Sequence, residues 1–248
     1  MPLRKSVGRG LLLSLVLTPF AASAQGPGDG FLLKPPAGQL SFRGGIDVAH
    51  AGSDVFAFAT RTLTLDRRDF SAATFLVDVD RVLTPRVSLR FSTGVSRSTT
   101  PSEFRDFVDN NRRPIEQRTQ FLRAPVTASL KAYLSNHGRA IGHFAWIPSR
   151  SSLYVGGGGG GLRYSFEQYG DFVDFATTKV FPDRFTSKGF TPALVGFVGG
   201  DVSLAPRVAV TAEGRYHWAR SPLSPDFSQF KPIDLSGFSV TTGLSFAF

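Results

Sequence analysis

Charges of both signs recur at alternate positions along this chain of 248 residues. Arg43, Asp47, Asp78, Asp80, Arg90, Arg123, Lys131, Arg163, Glu167, Glu213 and Arg215 all lie in stretches where the other parity carries mostly apolar or small side chains. Side chains alternate across a strand, so these groups would share one face of a sheet. If that face lines a closed interior, each charge loses water and must find a partner of opposite sign. Two outcomes follow. The interior is a filled lattice of salt bridges, which is the expectation, or the same groups line a narrow or gated pore. Glu213 and Arg215, on one face of one strand, are the first candidates for members of this network.

Other constellations offer candidate chemistry. Asp106-Phe-Val-Asp109 and Asp171-Phe-Val-Asp174 repeat a motif, and Asp226-Phe echoes it. Such aspartates cap turns while their Phe neighbours pack. The alternative is convergence on a divalent cation, but the spacing and glycine of a calcium loop are missing, so no metal site is expected. His217 and Ser221 are the nearest His/Ser pair. Four residues along a strand separate them by about 13 Å, too far for a nucleophile and its base. His50, His137, His143 and His217 lack metal-ligand spacing, and no Gly-Lys-Ser/Thr follows Gly156–Gly161 to make a phosphate loop. No catalytic, cofactor-binding or metal-binding residue is expected. A lipid-modifying enzyme remains an alternative of another class.

The elements that must hold these charges are strands. Alternation marks eight of them, at about 39–50, 70–82, 86–97, 119–134, 151–168, 187–204, 207–219 and 236–248. The last sets Phe238, Val240, Leu244, Phe246 and Phe248 on one parity against Ser239, Thr241, Gly243, Ser245 and Ala247. The fifth holds six consecutive glycines, which in a small barrel make room for bulky neighbours and permit coiling. Tyr154, Leu162, Tyr164 and Phe166 keep one parity through them, opposite Arg163 and Glu167. Segment Val55–Leu65 also alternates and could extend the first hairpin, giving a ten-stranded count.

The connections sort by length. Leu83-Thr-Pro-Arg-Val87 and Leu204-Ala-Pro-Arg-Val208 repeat a tight-turn motif with Pro at a corner. The link 135–150 is longer, with Trp146 placed for a membrane interface. Four long polar links occupy about 50–69, 98–118, 169–186 and 220–235. Short turns at one end and long loops at the other is the transmembrane barrel pattern, and a barrel with no free edge is the form in which strands satisfy their backbone in lipid.

The ends of the chain and its charge agree. Arg4, Lys5 and Arg9, the apolar run Leu11–Phe20 and Ala22-Ser23-Ala24 form an export signal, with cleavage expected after Ala24. Residues 25–38 are a Gly/Pro-rich periplasmic lead-in, and 39–248 the barrel domain. The formal charge of +9 becomes +6 without that segment. Its cations are scattered, which fits lumen pairing and contact with anionic lipopolysaccharide rather than nucleic acid. There is no cysteine, so disulfides contribute nothing.

The export segment, the eight alternating strands, Leu122-Arg-Ala-Pro-Val-Thr-Ala-Ser-Leu-Lys-Ala-Tyr133, the glycine-rich fifth strand and the terminal Phe together resemble the outer-membrane β-barrel-domain family of small porin-like Gram-negative proteins. The plan is also similar to small eight-stranded adhesin-like and membrane-anchor barrels. The resemblance implies an all-β, antiparallel up-and-down barrel in the outer membrane. It also implies that Phe238, Val240, Leu244, Phe246 and Phe248 form the strand read by the barrel-assembly machinery. The expected role is structural or loop-mediated binding by a monomer, with a narrow solute channel as the alternative. No residue-level activity carries over.

Overall fold

The computed structural model describes residues 32, 34–109, 112–141, 145–174, 177 and 179–248. The expected export segment, most of the lead-in and His143 lie outside them. In chain order the elements are β1 (Gly38–Ala49), α1 (Asp54–Thr62), a 3₁₀ turn (Arg67–Phe70), β2 (Ala72–Thr84), β3 (Val87–Val108), β4 (Pro114–Tyr133), β5 (Gly138–Ile141), β6 (Ala145–Pro148), β7 (Ser151–Val173), β8 (Val180–Ala205), β9 (Val208–Ser221), a 3₁₀ turn (Pro225–Phe227), β10 (Ile233–Asp234) and β11 (Gly237–Ala247).

Eight of these strands close a ring. β1 pairs with β2, and the sheet continues through β3, β4, β7, β8 and β9 to β11, every pairing antiparallel. β11 returns to β1 in register from Gln39↔Ala247 to Ala49↔Gly237. The chain closes on its last residue. The Ala37 and Gly38 amides both donate to the Phe248 carbonyl, at 2.6 and 3.1 Å, and the Phe248 amide donates to Gly38 O at 3.0 Å. β5 and β6 form a separate hairpin in the link between β4 and β7, at the end where the barrel starts and stops. Trp146 of that hairpin is buried and exchanges two backbone bonds with Leu32.

The outer face carries an apolar band. Phe42, Ile46, Phe75, Val79, Phe91, Val126, Leu130, Val198, Val240, Leu244 and Phe246 are all exposed on it. An apolar belt around a closed barrel has one stable environment, the hydrocarbon of a bilayer. No helix among the described residues is long and apolar enough to cross a membrane.

Glycines set the tight coiling of β7 against β4. A Cβ on Gly158 would lie 2.1 Å from Ala128 O and 2.5 Å from Ser129 Cα, and one on Gly160 would lie 2.1 Å from Val126 O. No side chain fits there, so the strand keeps its register only as glycine.

The strands are unequal. β1, β2, β9 and β11 have 11 to 14 residues, near what a bilayer needs. β3, β4, β7 and β8 have 20 to 26, so half the wall projects beyond the distal rim. Two of the four expected long links, 98–118 and 169–186, are therefore mostly strand. Asp109 accepts the Arg113 amide at 2.7 Å, and the Asp174 carboxylate accepts the Thr177 hydroxyl at 2.6 Å, so the repeated Asp-Phe-Val-Asp motif caps two hairpins.

The projecting sheet has two open edges, and loops satisfy parts of both. On β3 the Thr64 amide donates to Glu103 O and Arg105 Nε to Leu63 O. On β8 the Thr186 and Lys188 amides donate to Asp226 and Ser224. Edges covered in this way are poor templates for another strand.

Segment 55–65, which alternates in sequence, is not a strand. It is largely the helix α1, with Val55, Phe56, Ala59 and Leu63 turned into the barrel mouth at helical spacing. A ten-strand count is thereby replaced by eight barrel strands and a helical insert.

Candidate functional site: a lumen closed at two levels

The middle of the lumen holds a neutral charge lattice. Its cations are Arg43 (β1), Arg90 (β3), Lys131 (β4) and Arg215 (β9). Its carboxylates are Asp78 and Asp80 (β2), Asp201 (β8) and Glu213 (β9), and all eight residues are at most 2% exposed. Arg43 contacts Asp78 at 2.5 Å and Glu213 at 2.7 Å. Arg90 reaches Asp80 at 2.6 Å on the neighbouring strand and Glu213 at 2.5 Å across the barrel. Arg215 bridges Asp78 at 3.1 Å and Glu213 at 2.8 Å. Lys131 lies 3.3 Å from both Asp80 and Asp201.

Hydroxyls add to the lattice. Tyr154 donates to Glu213 at 2.9 Å, Tyr133 to Asp201 at 3.1 Å and Ser92 to Asp78 at 2.5 Å. The Lys131 ammonium sits 3.9 Å from the Tyr154 ring centroid. Charge-assisted bonds of this density satisfy groups that could not otherwise stay ionised away from water.

One level toward the distal rim, Arg123 contacts Asp47 at 2.7 Å and donates to the carbonyls of Leu235 and Ser236 at 3.1 Å each. It ties the last long loop to the wall. Above it the lumen turns apolar. Phe56 of α1 meets Phe70, Phe121 and Phe166 with centroids 4.7, 5.3 and 5.6 Å apart. Leu65, Leu162, Tyr164, Phe227, Ile233 and Leu235 fill the remainder. The first and last loops hold each other over this plug. His50 Nδ1 lies 2.5 Å from Asp234 Oδ2, Ser53 Oγ accepts the Asp234 amide at 3.2 Å, and Asp54 accepts the Lys231 amide at 3.0 Å.

Nine of the eleven charged positions expected inside lie inside: Arg43, Asp47, Asp78, Asp80, Arg90, Arg123, Lys131, Glu213 and Arg215. Arg163 and Glu167 do not. The inward parity of β7 is that of Tyr154, Leu162, Tyr164 and Phe166, all buried, so Arg163 is exposed on the outer face and Glu167 pairs there with Lys188 at 2.8 Å. The inversion has a physical cause. The glycines of β7 remove volume from the lumen wall, and aromatic side chains fill the space that an ordinary strand would fill with polar ones.

Asp201, Tyr133 and Tyr154 belong to the lattice without standing out in sequence. Asp201 shares the parity of Ala193, Val195 and Phe197, and that parity was the signal available. His217 and Ser221 both face inward but do not meet. The Ser221 hydroxyl donates to Pro222 O at 3.2 Å, and His217 Nε2 has no partner among the described residues. No group of three or more potential metal ligands occurs among the described residues. Phe238, Val240, Leu244 and Phe246 are exposed on the outer face of β11, and the Phe248 ring lies over Gly38.

At the terminal end a cavity of about 510 Å³ lies beneath the lattice, walled by Gln39, Asp80, Tyr133, His137 and Trp146. Asp80 is the lattice carboxylate that reaches its wall.

The fold is that of a small outer-membrane β-barrel. The OprG barrel from Pseudomonas aeruginosa superposes with a TM-score of 0.51 at 13% identity, over 88% of this chain and 99% of that one. Neisserial surface protein A gives 0.41 at 11% identity over 89% and 98%. The attachment invasion locus protein of Yersinia pestis gives 0.39 at 11% identity over 84% and 99%. No protein-family model and no curated protein sequence matches the chain.

Proposed function

We propose that this chain is an integral outer-membrane barrel without enzymatic activity, which holds a projecting sheet and two clasped loops at the cell surface to bind an external partner. The observation that carries this reading is the doubly closed lumen. A neutral salt-bridge lattice fills its middle and an aromatic plug fills its distal mouth. A conducting pore needs a continuous polar path, and here charges of opposite sign satisfy one another across the lumen. The surface that remains for function is therefore external.

The same reading includes export by the N-terminal segment, insertion by the assembly machinery through β11, and a monomeric state. Planar-bilayer recording tests the central claim. The purified protein, folded as judged by heat-modifiable gel mobility, is expected to give no discrete openings. Stepwise conductance from that folded material would establish the channel instead. Altered lipid A or phospholipid profiles on deletion and overexpression would point to a lipid-modifying enzyme.

A further inference from the structure

On the outer face, the first position beyond the apolar band is a cation on four strands. Arg97 lies two residues past Val95 on β3, Arg163 two past Gly161 on β7, Lys188 two before Phe190 on β8, and Arg220 two past Trp218 on β9. Two residues along a strand is about 7 Å, the step from the acyl region to the headgroups. Phe190 and Trp218 are 69% and 52% exposed, which marks the upper margin of the band. One further step out lies Arg118 on β4, and two further steps out Arg184 on β8. All six cations are exposed.

Most of them face no carboxylate partner. Lys188 pairs with Glu167. Arg97 donates to the Gln120 side chain at 2.6 Å, and Arg184 stacks over Tyr169 at 5.2 Å. Arg97, Arg118, Arg163 and Arg220 have no carboxylate within ion-pair distance among the described residues. The belt runs over the projecting strands and the neighbouring β9. Beyond Phe238, Val48 and Phe75 on β11, β1 and β2, the next positions of the same parity are Ser236, His50 and Ala73, with no Lys or Arg.

We infer that this one-sided belt is a binding site for the phosphate groups of an outer-leaflet glycolipid of the lipid A type, with its acyl chains lying on the apolar band below. Arginine suits it, because its planar fork takes phosphate oxygens in pairs. The two-phosphate headgroup of such a glycolipid presents charge at the height where these four strands place theirs. A single small anion would not need cations spread over five strands. The inference rests on the outer-membrane reading above.

Native mass spectrometry of the full barrel, purified with bisphosphorylated lipid A present, tests it. R97Q/R163Q/K188Q/R220Q should retain lipid A roughly tenfold less or lower than the unaltered protein. R81Q/R86Q/R139Q/R150Q, which removes the same charge from the terminal end, should retain it fully. Retention by the unaltered protein should also fall as salt rises, a readout that needs no variant. Equal retention by the belt variant, undiminished binding of dephosphorylated lipid A, insensitivity to salt, or equal competition by phosphatidylglycerol at matched phosphate would each overturn the inference. Failure of the outer-membrane reading looks different. The protein would then lack heat-modifiable mobility and stay soluble without detergent, whatever lipid is offered.

Discussion

Glu213 is where the charge lattice is most vulnerable. Its two carboxylate oxygens serve Arg43, Arg90 and Arg215 at 2.5 to 2.8 Å and accept the Tyr154 hydroxyl at 2.9 Å, with the side chain fully buried. Glu213→Gln keeps the shape but leaves four cations facing three carboxylates. Removing one partner of a buried ion pair costs about 3–5 kcal/mol, since the remaining charge is neither paired nor hydrated. Glu167→Gln is the matched control. It breaks a single pair with an exposed lysine, which is worth under about 1 kcal/mol. Urea titration of barrels folded into phospholipid vesicles, followed by the fluorescence of Trp146 and Trp218, gives both values. Gel mobility of unheated samples confirms which state is measured. Glu213→Gln combined with Arg215→Gln restores neutrality and should recover part of the loss, but not all, because Arg215 also serves Asp78 at 3.1 Å. A Glu213→Gln cost no larger than that of Glu167→Gln would refute the view that paired charge, rather than simple filling, organises the lumen.

Two further outcomes are expected. Gly158→Ala should lower stability by about 1–3 kcal/mol or block folding, because its Cβ meets backbone 2.1 Å away, whereas Gly157→Ala, at 3.3 Å from Val195 O, should stay within about 1 kcal/mol; urea midpoints of the pair decide it, and equal costs would argue against close strand approach. For the loop clasp, burial pushes the Asp234 carboxyl up, but hydrogen bonds from His50 and Ser236 outweigh this and hold it below the usual carboxylate range. A depressed folded pKa gives stability that is present above the ordinary value of about 4 and lost as pH falls through the lower, folded one. Hydrogen exchange at the Asp234 and Ser236 amides should therefore be slow at pH 7, accelerate relative to the barrel core in strong acid, and be fast at both pH values in Asp234→Asn. Unchanged protection in that variant at pH 7 would remove the clasp.

Where side chains of contrasting polarity alternate, the sequence could be read strand by strand. On β2, Phe75 and Val79 against Asp78 and Asp80 left no doubt which face met lipid, and β3, β4, β9 and β11 were equally plain. The reading inverted at β7, where a run of residues without side chains gave no contrast. The charges of Arg163 and Glu167 there report height above the membrane rather than the lumen. Parity alone cannot separate those two causes, since both favour charge at alternate positions. Segment 55–65 is ambiguous for a related reason. Val55, Ala57 and Ala59 alternate, while Phe56, Ala59 and Leu63 follow a helical period, and packing under the last loop decides between them. The contacts across the lumen were out of reach, because each face is fixed locally but the partner across the barrel depends on closure.

That dependence bears on how the protein is made. Arg43–Glu213 and Asp78–Arg215 join residues 170 and 137 positions apart, and Arg90–Glu213 spans 123. None of these pairs can form within a growing hairpin. A sheet that has begun to insert but has not yet brought β9 and β11 round to β1 carries unmatched charges on the face destined for the interior. Half-assembled forms are thereby penalised, and the last seam to join completes the pairs that Glu213 and Arg215 make with Arg43, Arg90 and Asp78. The lattice acts as a latch that rewards completion, favouring two populations during biogenesis, an open precursor and a finished barrel, with little between them.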